Sequence, residues 1–147
     1  MSKPPEIALV TALGLMSGTS LDGIDVALVK TDGEARVERG QSRTYAYTEE
    51  QRHLLRRALA AAASLTDRMD RSGILGEAEA ALTGWHAGAV RDFCEDTGTA
   101  LEEIGLIGFH GQTVIHRPER RLTVQLGDGA KLARTLGRPV AFDLRAA

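Results

Sequence analysis

The chain has 147 residues, a formal net charge of −2, 43% hydrophobic and 26% charged residues, which is one domain's worth of globular chain with enough length to bury a real core. The near-neutral charge supplies no basic field for nucleic acid or an anionic membrane, and no stretch approaches the ~20 apolar residues of a membrane span. The single cysteine, Cys94, excludes an internal disulfide framework and suits a reducing cytoplasm, and Lys3 followed by Pro4, Pro5 and Glu6 makes a poor secretory signal.

In chain order, hydrophobic patterning predicts strands near 7–15, 22–31 and 35–46, joined by turns at Gly18 and at Asp32-Gly33. Thr48 caps a helix with Gln51 at the capping-box position, and Leu54, Leu55, Ala58, Leu59 and Ala62 then share one face. A second helix over about 73–96 lines up Leu75, Ala78, Leu82, Trp85, Ala89 and Phe93 as a core stripe and stops at Gly98. A strand at 105–110 follows, then a hairpin of 112–117 with 121–126 around Pro118–Arg121. A short helix over 129–136 is entered through Asp128 and ends at Gly137, and strand 139–143 comes last. Three antiparallel strands followed by helix-linked parallel ones is the order of a ribonuclease-H-like α/β lobe, a mixed sheet with flanking helices.

Chemistry concentrates in three places. The first is the turn between strands one and two, Gly18-Thr19-Ser20-Leu21-Asp22-Gly23-Ile24-Asp25. Its small side chains let backbone N–H groups approach an anion, the Thr19 and Ser20 hydroxyls add donors, and Asp22 and Asp25 can hold water or a divalent cation beside a phosphate. It is not a Walker A loop, because no lysine follows the glycines and a strand, not a helix, comes next. An ordinary Gly/Ser/Thr turn is the plain alternative.

The second is Phe109-His110-Gly111-Gln112-Thr113 at a strand end, where open α/β sheets face their ligand crevice. His110 and Gln112 offer donors and acceptors suited to sugar hydroxyls and an acetamido group, although a lone histidine also serves as a structural hydrogen-bonder. His110 and His116 lack a cysteine or carboxylate at ligand spacing, which argues against a metal centre and leaves metal ligands unassigned. The third is Asp143-Leu144-Arg145, again at a strand end. The Arg145 guanidinium can grip a carboxylate bidentately, or can form a surface pair with Asp143.

Met16 to Asp25 resembles the amino-terminal phosphate loop of bacterial anhydro-N-acetylmuramic acid kinases, members of the actin, hexokinase and Hsp70 ATPase superfamily. Matching segments follow in order at Gly108–Pro118, Gln125–Gly129 and Asp143–Arg145. The resemblance departs at Phe109, where most members have a smaller residue, and at Leu144, where they usually have Phe. It implies ATP and Mg²⁺ as cofactors, with phosphate on Gly18–Asp25 and a muramic acid sugar on His110, Gln112 and Arg145, the last reading the lactyl carboxylate. The implied reaction opens 1,6-anhydro-N-acetylmuramic acid with water at C1 while O6 takes the γ-phosphoryl group, giving N-acetylmuramic acid 6-phosphate in peptidoglycan recycling. The general base of that reaction lies in a Gly-rich loop with no counterpart here, so residues 1–147 read as the amino-terminal lobe of a two-lobed, cytoplasmic, homodimeric kinase. Alone, the lobe is expected to be inactive. The segment Val140–Ala147, a buried strand running into a functional loop where the chain stops, agrees with that reading. A non-catalytic sugar- or phosphate-binding module, and another sugar or acid kinase of the superfamily, are the alternatives.

Overall fold

A computed structural model describes residues 8–145. Ile7, the first residue of the first expected strand, and Ala146 and Ala147 at the end of the last expected loop lie outside the described residues.

The chain opens as a three-stranded antiparallel meander: β1 (Val10–Ser17), β2 (Gly23–Thr31) and β3 (Val37–Ala46). Alternation decides which face is covered. Leu13, Leu15, Ile24 and Val26 are buried, whereas Met16, Asp25 and Ala27 between them are exposed. Asp32 closes the second turn by accepting the Glu34, Ala35 and Arg36 amides, which also holds its carboxyl below the usual carboxylate range.

Helix α1 (Glu49–Ala62) starts at the expected capping box: Thr48 Oγ1 accepts from Gln51 N at 3.2 Å, and Gln51 Oε1 accepts from Thr48 N at 2.9 Å. Its buried residues Leu55, Ala58 and Ala62 belong to the expected stripe. Helix α2 (Ile74–Thr97) ends at Gly98 and buries Leu75, Ala78, Leu82, Ala89 and Phe93. Trp85, half-buried, tilts against Tyr47 with ring centroids 5.7 Å apart. Helix α3 (Gly129–Leu136) is capped by Asp128, whose carboxylate accepts from Lys131 N at 2.9 Å.

The remaining strands are β4 (Leu106–Arg117), β5 (Leu122–Leu126) and β6 (Val140–Phe142). The sheet runs β3-β2-β1-β4-β5, with β6 also on β4. β1 and β6 pair parallel to β4, and β5 pairs antiparallel to it. The mixed α/β sheet read from the sequence is therefore present, with one correction. The expected strand 105–110 and hairpin arm 112–117 are one continuous strand. Gly111 at φ +68° lets the chain bulge instead of ending there, and the register against β1 steps between Leu15–Phe109 and Ser17–Gln112.

That bulge has a topological consequence. One edge of β4 pairs with β1, while the other pairs with β6 over 107–109 and with β5 over 112–117. The carboxyl ends of β5 and β6 thus converge on His110-Gly111.

Candidate functional site

The β1–β2 tip is set on a buried polar chain. Ser17 Oγ donates to Gln112 Oε1 at 2.6 Å and lies 2.7 Å from the Tyr47 hydroxyl, which must then be the donor in that contact. Gln112 Nε2 reaches the Gly18 carbonyl at 3.3 Å, and the same carbonyl accepts from Leu21 N at 3.2 Å. Burial pushes the Tyr47 phenol up to about 12, against the smaller opposing effect of the Ser17 contact, so it stays a neutral donor. The Leu21 side chain, at φ +57°, plugs the core under the turn.

This assigns different physical places to the residues of the expected phosphate loop. Thr19 and Ser20 are exposed and Gly18 is half-buried, with its carbonyl turned inward to Gln112 and Leu21. Leu21, Gly23 and Ile24 are buried and shape the turn. Asp22 is exposed, and its carbonyl accepts from Tyr47 N at 3.0 Å. Asp25, also exposed, accepts from Thr44 Oγ1 at 2.6 Å. Among the described residues no three His, Cys, Asp or Glu side chains converge on a metal site.

The second locus is a cleft of about 200 Å³ at the fork of β4, β5 and β6. His110, Gly111, Gln125, Gly127, Phe142 and Asp143 line it from the sheet. Arg68, Met69 and Arg71 line it from the segment between α1 and α2, and Glu79 from α2. A Cβ on Gly111 would lie 2.2 Å from the Leu126 carbonyl oxygen, so only glycine lets the two strands approach there. His110 Nδ1 lies 3.0 Å from the Gly111 carbonyl and is therefore the protonated nitrogen. Its Nε2 is left as an acceptor and is buried without a partner.

Side chains brace the cleft from behind. Glu79 accepts from Arg71 Nε at 2.7 Å and from Gly127 N at 3.1 Å, and Thr83 Oγ1 accepts from Asp128 N at 3.0 Å. Gln125 Nε2 donates to the His110 carbonyl at 3.0 Å, and its Oε1 accepts from Arg145 N at 3.2 Å. Behind the wall, His86 is fully buried against Phe109, ring centroids 4.8 Å apart.

Of the expected sugar residues, His110 lies on the cleft. Gln112 is fully buried and committed to Ser17 and Gly18, a support of the hairpin tip. Arg145 is exposed and tied to the cleft wall through its main chain, and Asp143 pairs with Arg68, not with Arg145. His116 sits apart, 2.8 Å from Thr123 Oγ1. The sequence reading missed Arg68, Arg71, Glu79 and Thr83. Arg68 and Arg71 signal only as charges in a segment with no periodicity, and Glu79 and Thr83 as polar positions between the core residues of the second helix.

The mixed sheet of this order with flanking helices is the ribonuclease-H-like α/β fold of the actin, hexokinase and Hsp70 ATPase superfamily. The family model for anhydro-N-acetylmuramic acid kinase matches residues 10–147. The chain belongs to that family. Similar curated proteins carry the same name: one from Rhodopseudomonas palustris (strain BisB18), 54% identical over 138 residues, covers 94% of this chain and 38% of its own length. One from Methylobacterium nodulans is 56% identical over 146 residues, covering 92% of this chain and 39% of its own. Another, from Bradyrhizobium diazoefficiens, is 55% identical over 139 residues, covering 95% and 38%. The chain thus spans about 38% of the length of the curated relatives it matches.

Proposed function

We propose that this chain is the amino-terminal lobe of a cytoplasmic kinase that uses ATP and Mg²⁺ to convert 1,6-anhydro-N-acetylmuramic acid into N-acetylmuramic acid 6-phosphate. The observation that carries this reading is the Gly18–Ser20 tip, exposed at Thr19 and Ser20 and braced from below through Gly18, in a chain that matches the kinase family from residue 10 onward. In it the tip binds the transferring phosphate. Asp22 and Asp25 hold the waters of Mg²⁺, which neutralises phosphate charge when bound. Phosphoryl transfer asks mainly for such positioning and charge neutralisation. The cleft takes the sugar, with His110 on its wall and Arg145 at the rim. The base that activates water and the adenosine-binding lobe are contributed by further chain, and the whole enzyme is a homodimer.

The test has two arms. MgATP titrated into the ¹⁵N-labelled chain should shift the Gly18–Leu21 amides. Thr19→Ala or Ser20→Ala should weaken that binding by about 1–3 kcal/mol, the scale of a hydrogen bond to a charged group. Gly18→Val should weaken it more without unfolding the chain, because a Cβ there meets only Ser20 Oγ at 3.8 Å. Unchanged binding in all three variants makes the tip a plain turn. In the second arm, the chain incubated with MgATP and the anhydro sugar should form no phosphorylated sugar, because productive geometry needs every reacting group in place. Stoichiometric or faster product would place the base within these residues.

A further inference from the structure

Two arginines overhang the cleft, and their partners distinguish them. All three nitrogens of Arg71 are engaged, through four of its five N–H groups: Nε donates to Glu79, one terminal nitrogen to the Arg68 and Asp70 carbonyls, and the other to the Gln125 carbonyl. Arg71 thus fixes the α1–α2 segment to the sheet. Arg68 is less fully engaged. One terminal nitrogen closes on the Asp143 carboxylate, and the other reaches only the Met69 sulfur, at 3.9 Å. Both side chains remain partly open to solvent, 40% for Arg68 and 38% for Asp143. Asp143 itself sits at φ +57°, in the left-handed region that Asp visits more readily than most residues other than glycine.

A guanidinium with half its fork engaged by one carboxylate, at the mouth of a cleft, is preorganised for another. We infer that Arg68 is the residue that reads the carboxylate of the cleft's ligand, and that Asp143 occupies its place until that ligand arrives. The ligand class is a hexosamine bearing a carboxylate side arm: the cleft beside His110 takes the ring, and Arg68 meets the acid. The inference rests on the sugar reading of the cleft given above, and it moves the main anion contact from Arg145 to Arg68. An exposed ion pair contributes little to folding, so either partner can be changed without unfolding the chain.

The experiment is an NMR titration of the chain with N-acetylmuramic acid, N-acetylglucosamine and lactate, following backbone amides and arginine Nε–H signals. Trp85 fluorescence verifies that each variant is folded. The acid sugar should bind at least tenfold more tightly than the neutral one and shift the Arg68 Nε–H. Arg68→Gln should erase that preference while neutral-sugar binding persists. Arg145→Gln should reduce it threefold or less, and Asp143→Asn should tighten acid binding severalfold by removing the competing carboxylate. Preference that survives Arg68→Gln, preference lost in Arg145→Gln, or weaker acid binding in Asp143→Asn each overturns the assignment. Equal binding of acid and neutral sugars also overturns it but leaves the cleft a sugar site. Lactate shifting Arg68 while neither sugar binds keeps the anion site and refutes the sugar reading. No binding of any probe refutes both.

Discussion

Replacing His86 by Leu should leave the protein about as stable at neutral pH and markedly more stable in acid. His86 is buried beside Phe109, with Nδ1 2.8 Å from the Leu82 carbonyl and Nε2 without a partner among the described residues. The Leu82 carbonyl stands at the i−4 position, where the helical ladder already supplies an N–H, so losing the imidazole leaves it satisfied. Against that, the ring contact with Phe109 is lost, about 0.5–1.5 kcal/mol. Removal of an unpaired buried nitrogen offsets part of this loss.

Acid changes the balance. Burial, opposed by the Leu82 contact and reinforced by His110, lowers the His86 pKa from 6.5 to about 4. Between those values the unfolded chain holds a proton that the folded chain refuses. The contribution is therefore fully present above 6.5 and is lost as pH falls through about 4. The full span is worth about 3 kcal/mol, and about 2 kcal/mol is gone by pH 5. Urea denaturation followed by the fluorescence of Trp85, the chain's one tryptophan, between pH 4.5 and 8 measures it. Carboxylate titrations common to both proteins cancel in the difference curve. Parallel pH profiles for wild type and His86→Leu would refute the reasoning, because they would show that His86 titrates alike in both states.

Two further outcomes follow from the packing around the two loci. Tyr47→Phe and Gln112→Leu should each cost about 1–3 kcal/mol in urea unfolding, and the double variant should cost less than their sum, because both act through Ser17; strict additivity would show that the three groups do not form one chain. Gly111→Ala should destabilise by about 2 kcal/mol or more, since the new Cβ meets the Leu126 oxygen and φ is positive; a thermal midpoint equal to wild type would mean that the β4 bulge relaxes freely.

What could be read from the sequence divides along chain separation. The capping box at Thr48, the stripes of α1 and α2, the Gly98 stop and the Asp128 cap were all legible because each depends on residues within a turn or two. Gly111 misled for a local reason: a glycine after a hydrophobic strand reads as its end, and only the approach of Leu126 shows that it is a bulge inside one strand. Gln112 reads as a ligand residue because strand ends in open α/β sheets face the ligand crevice and its amide offers both donors and acceptor. Its actual partner, Ser17, is 95 positions away, and nothing in either neighbourhood announces the contact. Arg68 was invisible for the same reason, its carboxylate lying 75 positions further on, at Asp143. Gln112 braces the Gly18 tip through its side chain, while the neighbouring His110 and Gly111 line the cleft. One bulged strand therefore fixes the spacing between the hairpin tip and the cleft, and a change in that bulge should disturb both together.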